Sequence, residues 1–302
     1  MRSNISCHSV VSACLGLMLL GVASCEKMNI VSQPADDGRG EQRPNVTVRV
    51  TSFEQVPFSP GTRAEVADAC SRLVFILYDS EGKKVKHVSQ KQGDESFGTA
   101  SFAVPEGRYL AVAVGHSSGG NPSMANPLKL QFTNSSGYSD TFMASDSVTV
   151  TDASTTLNLA MRRIVAKVRL MVDNPPKQGT TLVRINYKGG SGAFSALTGL
   201  GTVKSDQYTN VEVDGTEQQF EVYTIPHAER DTLNFTVMAH DASGLELTND
   251  TILNVPVRVN HVTVCRGYLF YGNSARTRST SFTVSLDDAW ASEQLQKSHQ
   301  AR

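Results

Sequence analysis

Leu73-Val74-Phe75-Ile76-Leu77-Tyr78 is apolar at every position and stops abruptly at Asp79-Ser80-Glu81-Gly82. A strand with only one covered face would alternate polar and apolar residues, so this run predicts a central strand buried on both faces. The Asp and Gly that follow suit a tight turn. Upstream, Val46, Val48 and Val50 point one way while Thr47, Arg49 and Thr51 point the other, which predicts a half-buried first strand over about Asn45 to Phe53. Downstream, a turn at Pro105-Glu106-Gly107 leads into Tyr109-Leu110-Ala111-Val112-Ala113-Val114, which breaks at Gly115 and again at Gly119-Gly120-Asn121-Pro122. Asp146–Val150 and Thr155–Leu159 read as two further strands joined by a short polar turn. No comparable helical period is present.

Beyond Ala160 the alternation continues on a longer scale. Ile164, Ala166, Val168, Leu170 and Val172 share one face, with Arg163, Lys167, Arg169 and Asp173 on the other, until Asn174-Pro175-Pro176 ends the run. That pattern predicts a sheet with one dry and one wet side. Leu233, Phe235, Val237 and Ala239 alternate with Asn234, Thr236, Met238 and His240; Phe282, Val284 and Leu286 alternate with Thr283, Ser285 and Asp287. Many short strands with frequent turn signals indicate an all-β protein of antiparallel sandwiches. The expected division is an N-terminal β-sandwich over residues 45–160 and a C-terminal one over 161–290, followed by a polar tail at 291–302. The lack of a Gly/Ser linker near residue 160 implies a stiff join.

The N-terminus carries an export signal. Arg2 supplies a positive start, Val10 to Leu20 an apolar core, and Val22-Ala23-Ser24-Cys25 reads as a lipobox, making residues 1–24 a lipoprotein signal peptide and Cys25 the lipidated first residue. Val11-Ser12-Ala13-Cys14 matches the same short pattern but sits too early in the apolar run. Residues 25–44, with Gln33-Pro34, Asp36-Asp37-Gly38-Arg39-Gly40 and Arg43-Pro44, read as a flexible polar tether. After Leu20 no apolar run approaches the roughly 20 residues of a spanning helix. The expected membrane attachment is therefore through covalent lipid alone. With 28 Lys+Arg against 29 Asp+Glu the net charge is -1, which offers no footprint for nucleic acid.

Cys7 and Cys14 leave with the signal, so Cys70 and Cys265 remain. Widely spaced in a chain long enough to build apolar cores, they read as buried strand cysteines rather than a bridge. No catalytic residue, metal site, cofactor or small-molecule substrate is expected. The histidines do not make a zinc pattern, and His116, His227 and His261 read as satisfied surface residues beside strand ends. Gly189-Gly190-Ser191-Gly192 fails as a nucleophile elbow because Ala193 replaces the last glycine and no helix follows. Asp79-Ser80-Glu81-Gly82 and Asp241-Ala242-Ser243-Gly244 lack the ligand series of a calcium loop and read as turns.

Several segments in order carry a resemblance. Leu77-Tyr78-Asp79-Ser80-Glu81-Gly82-Lys83-Lys84-Val85 is followed by Val104-Pro105-Glu106-Gly107-Arg108-Tyr109-Leu110-Ala111-Val112. Leu157-Asn158-Leu159-Ala160-Met161-Arg162-Arg163-Ile164-Val165-Ala166-Lys167-Val168 opens the second half; Val257-Arg258-Val259-Asn260-His261-Val262-Thr263 and Arg266-Gly267-Tyr268-Leu269-Phe270 come near its end. This order resembles the FimB/Mfa-type fimbrillin and fimbrial-anchor lipoproteins of type V pili. The resemblance implies two tandem transthyretin-like sandwiches, an outer-membrane or fimbrial location, and partners that are other fimbrial subunits joined by strand addition. Anchor-type members keep their lipid. Stalk-type members lose it with the first strand after an arginine-specific cut, for which Arg63, in the expected loop Ser59-Pro60-Gly61-Thr62-Arg63-Ala64, is the candidate here. The expected function is a non-enzymatic, lipid-anchored anchor or minor fimbrial subunit. The alternatives are a stalk or tip fimbrillin cut after Arg63 and, from a different class, a surface glycan-binding lipoprotein.

Overall fold

The computed structural model describes residues 43–53, 63–270 and 283–287. The expected signal peptide, Cys25, nearly all of the tether and the polar tail lie outside the described residues. The first half comprises β1 (Val46–Phe53), a short helix α1 (Arg63–Ala69), β2 (Arg72–Tyr78), β3 (Lys84–Lys91), β4 (Thr99–Phe102), β5 (Gly107–His116), β6 (Leu130–Gln131), β7 (Thr141–Val150) and β8 (Thr155–Arg163). The second comprises β9 (Ala166–Val172), β10 (Thr180–Lys188), β11 (Ala193–Phe194), β12 (Gln207–Glu212), β13 (Gln219–Thr224), β14 (Arg230–Asp241), β15 (Glu246–Arg258), β16 (Val262–Gly267) and β17 (Thr283–Asp287).

Strands of the first half run in the order β3-β2-β5-β7-β8-β1-β4. β7 and β8 pair only at Phe142–Arg163 and Met143–Arg162, where the sheet turns over into two layers. The second half builds its layers as β12-β10-β14-β15 and β13-β9-β16-β17. The two halves share one topology: β2-β3-β5-β7 correspond to β10-β12-β14-β15, and β1-β4-β8 to β9-β13-β16, with β17 an addition at the edge of β16. Pairing is antiparallel except between the first strand and the last shared strand of each half, β1 with β8 and β9 with β16. Alternation within a strand does not reveal this parallel pairing, because it depends on chain crossovers elsewhere.

Both faces of β2 are buried, and the structure separates their roles. Leu73, Phe75 and Leu77 enter the core of the first sandwich beside Val46, Val48, Phe53, Phe142 and Met161. Val74, Ile76 and Tyr78 face the other way, into a cluster shared with Ile164, Val165, Phe194, Ile225 and Val262 of the second half. Ile185, Tyr187, Phe220, Phe235, Val255 and Leu269 form the second sandwich core. A cross-half pairing of β6 with β11 reinforces this joint, and the chain from Gln42 onward forms one compact unit. The stiff join expected from the missing linker is thus a third apolar core. β8 carries the first sheet to Arg163 and β9 begins at Ala166, slightly past the expected junction.

The two predicted turns have the same construction. Asp79 Oδ1 accepts the Glu81 and Lys83 amides at 3.0 and 2.9 Å, while Asp241 Oδ1 accepts those of Ser243 and Leu245 at 2.8 and 3.0 Å. Gly82 and Gly244 take positive φ, of 78° and 85°, where a side chain would be strained. Hydrogen bonds from the Ser243 hydroxyl and the Leu245 amide hold the Asp241 carboxyl below its usual range. Two details differ from the sequence reading. Val284 on β17 is 38% exposed rather than buried, since β17 is an edge strand; Cys70 follows α1 in coil instead of lying on a strand, although it is buried and unbridged like Cys265.

Candidate functional site

β1 occupies the centre of its layer. It pairs in parallel with β8 from Val46–Thr155 to Phe53–Met161 and antiparallel with β4 from Val46–Phe102 to Arg49–Thr99. Val46, Val48, Val50 and Phe53 are all buried, and such burial is worth roughly 1.5–3 kcal/mol for a full side chain of this kind. β1 is therefore a structural strand, and its removal would leave β8 and β4 flanking an empty place about 9.5 Å across, two strand spacings.

The expectation that Arg63 lies in a loop is corrected. Arg63 is the first residue of α1, so the bond to Ala64 falls in a helical turn. Arg63-Ala64-Glu65-Val66-Ala67-Asp68-Ala69 is rich in alanine, the strongest helix former. Val66 is buried, with Ala67 and Ala69 packed against the first core. A segment of two turns is too short to show a period against the surrounding strand pattern.

Among the described residues, the other edge of β8 is unpaired over most of its length. Beyond the two pairs that join it to β7, no backbone ladder covers Thr155–Met161 on that side among the described residues. A hollow of about 260 Å³ lies there, lined by the polar Ser145, Asp146, Asn158 and Arg162 together with Met143 and Leu197. In the second half the corresponding edge of β16 is filled by β17, which pairs antiparallel from Val262–Asp287 to Arg266–Thr283. Among the described residues, the repeated topology thus shows one copy of this edge paired and the other unpaired.

Two of the four charges that the sequence reading placed on a wet face are buried, whereas Asp173 is exposed as expected. Arg163 is 1% exposed and Lys167 5% exposed. Arg163 donates from Nε and one terminal nitrogen to the two carboxylate oxygens of Asp140, at 2.6 and 2.8 Å, and from the other to Asn260 Oδ1 at 2.7 Å. Its guanidinium also lies 4.8 Å from the Phe142 ring centre. Lys167 and Arg169 both pair with Glu221, at 3.3 and 2.8 Å. Alternation identified the faces of the strand but could not show that the opposite half covers one of them. The consecutive apolar residues Ile164-Val165 were the available signal, since neighbours on opposite faces are both apolar only where both faces are covered.

The groups set aside as chemistry are structural in this fold. Ser191 is fully buried and its hydroxyl bonds the Ala193 carbonyl and the Ala193 and Val203 amides. A Cβ on Gly190 would meet Thr224 Oγ1 at 2.4 Å, so close packing explains that glycine. His116 is buried, not a surface residue; it accepts the Ser118 amide through Nδ1 at 3.2 Å, and burial pushes its pKa down to about 4. The ring nitrogens of His227 lie 3.0 and 3.3 Å from the Gly201 and Gly190 carbonyls, and His261 Nδ1 lies 2.8 Å from that of Val259. Burial raises the Cys70 and Cys265 thiols to about 12 and about 11. Among the described residues no cluster of His, Cys, Asp and Glu could hold a metal, and no helix is long and apolar enough to cross a membrane.

Residues 41–284 match the model of the family described as fimbrillin-A associated anchor proteins Mfa1 and Mfa2. No curated protein matches the chain. Among solved structures, the fimbrial anchor protein Mfa2 from Porphyromonas gingivalis is similar at 13% identity and a TM-score of 0.47, over 80% of this chain and 96% of that one. The C-terminally truncated tip fimbrial protein Mfa3 from the same organism shares 13% identity over 80% and 98% of the chains, with a TM-score of 0.38. A candidate polysaccharide-binding protein from Bacteroides thetaiotaomicron VPI-5482 shares 11% identity over 80% and 95%, with a TM-score of 0.49.

Proposed function

The chain belongs to the family of fimbrillin-A associated anchor proteins, and from that premise we propose that it is a fimbrial anchor or minor subunit, held at the outer membrane by a lipid on Cys25 and joined to its partners by strand addition. The family consists of fimbrial components rather than enzymes. Covalent lipid suits an anchor, since each buried CH₂ contributes about 0.8 kcal/mol and two or three acyl chains hold where one does not. The observation that carries the joining mode is the edge of β8, unpaired among the described residues, whose counterpart on β16 accepts β17. An added strand would gain a ladder of main-chain bonds there, and its side chains could enter the hollow, where Ser145, Asp146, Asn158 and Arg162 offer polar partners beside Leu197.

A photo-reactive residue at Ala160 tests this directly: it should capture a fimbrial subunit in intact cells, while the same residue at Lys86 on the β3 edge should not. Capture at Lys86 alone would place the joint elsewhere. The Cys25→Ala chain should move to the soluble fraction, and continued tight membrane association would count against the lipid.

A stalk or tip role has one observation in its favour, the central place of the N-terminal strand β1. A cut after Arg63 would free β1 and leave a groove of one strand's width. Against it stands α1, because proteolytic nicking favours exposed, extended loops over helical turns. Mass spectrometry of the mature N-terminus separates the roles: Cys25 with acyl mass supports the anchor, and Ala64 the stalk.

A further inference from the structure

The wet face of the sheet β12-β10-β14-β15 carries a site that the fimbrial role does not use. Arg184, at mid-strand on β10, is held at two points: its Nε donates to Asn186 Oδ1 at 3.0 Å, and its guanidinium carbon lies 4.2 Å from the ring centre of Tyr208. It makes no ion pair among the described residues. A guanidinium fixed in this way has its terminal N–H groups free, in the fork geometry that matches a carboxylate.

Beside it lies a hollow of about 570 Å³, within the range of small-ligand sites. Strand register aligns Tyr208, Asn186, Thr236 and Thr251 in one row across all four strands, with Lys188 opposite Asn234 in the next. The lining mixes these amides and hydroxyls with exposed Leu253 and with the Lys188–Asp206 pair, whose lysine lies 3.7 Å from the aspartate and offsets its charge. β10 and β14 are interior strands with both edges paired, so their backbone groups are committed to the ladder. A ligand on this face must be recognised by side chains alone. An extended peptide, which relies on main-chain bonds at a sheet edge, fits poorly; a hydroxyl-rich ligand carrying one carboxylate fits the donors and acceptors present.

We propose that this face binds an acidic saccharide residue of the uronate or sialate class, with its carboxylate on Arg184 and its ring hydroxyls on Asn186, Thr236 and neighbouring amides. Tyr208 acts chiefly as a platform that orients the guanidinium. The site does not depend on lipid anchoring or strand addition, so it stands or falls separately from the fimbrial role.

The test is calorimetric titration of the full mature chain with a glucuronate-containing tetrasaccharide and with sialyllactose, each alongside its carboxyl-reduced form. At least one acidic form should bind, and carboxyl reduction should weaken it tenfold or more. Arg184→Gln should abolish binding, and Arg184→Lys, which keeps the charge but not the fork, should retain only part. Thr236→Trp, which fills the hollow from another strand, should also abolish binding while leaving the unfolding midpoint within a few degrees. Absence of binding to both acidic forms, equal affinity for the reduced forms, indifference to Arg184→Gln, or preference for an acidic peptide would each overturn the assignment.

Discussion

Arg163→Ala is the change that most directly probes how the two halves are joined. Arg163 has a fully buried side chain, bonds both carboxylate oxygens of Asp140 and reaches Asn260 in the second half. Truncation removes the guanidinium that bonds both oxygens of Asp140, whose side chain is only 15% exposed. Breaking a buried pair by removing one partner costs about 3–5 kcal/mol, whereas an exposed pair is worth about 0–1 kcal/mol. For a protein of this size each kcal/mol moves the melting temperature by roughly 2–4 °C, giving an expected fall of about 6–20 °C. Urea and thermal unfolding of the purified protein would measure it. The pair Arg163→Met with Asp140→Leu should recover most of the loss, because apolar residues of similar volume can replace a buried ion pair at little net cost. A loss under about 1 kcal/mol for Arg163→Ala, or a double variant as unstable as the two single changes added together, would refute the reading of this pair as a desolvated element of the joint.

Asp250 is buried, and its Oδ2 accepts the Phe270 amide at 2.8 Å; burial raises its pKa, so the folded protein holds that proton more tightly than the unfolded chain does. The associated stability is complete below the unfolded pKa and is lost as pH rises through the raised value, so Asp250→Asn should unfold at higher urea than the parent at pH 7, with the gap closing near pH 3. His116 has the opposite sign: with its folded pKa depressed from 6.5 to about 4, the unfolded chain takes the proton first, and stability should fall as pH drops through that window. His116→Phe should flatten that part of the pH–stability curve; an unchanged slope would show that other groups set it. Both Cys70 and Cys265 should resist a thiol reagent in the native state at pH 8 and react fully in urea, as mass spectrometry of alkylated peptides would show.

Much of the fold was legible because β-sheet burial has a period that side chains record directly. β1, β2 and β14 were found this way, and both Asp-Gly turns were recognisable because their geometry depends on adjacent residues. What escaped the sequence depends on residues far apart in the chain. Arg163 and Lys167 occupy the face that alternation assigned to water, but Arg163 is covered by the second half and Lys167 packs against Tyr223 and Glu221 of the neighbouring strand. The parallel partners of β1 and β9 arise from crossovers, and α1 is shorter than the window in which a helical period stands out. The unpaired edge of β8 is legible only by comparing two halves whose residues show no obvious repeat. Arg184 was quoted in no motif, since its significance lies in neighbours on β12, β14 and β15.

The position of β1 also bears on how the molecule would respond to force. β1 is the first described strand, and it is bonded on both flanks, to β8 and β4. Tension applied at Val46 along the strand axis would load the two ladders in shear. Their bonds would then have to yield together, whereas a strand peeled from a sheet edge can release them one at a time. Shortening β1, or placing proline at its middle, should lower the rupture force far more than it lowers equilibrium stability.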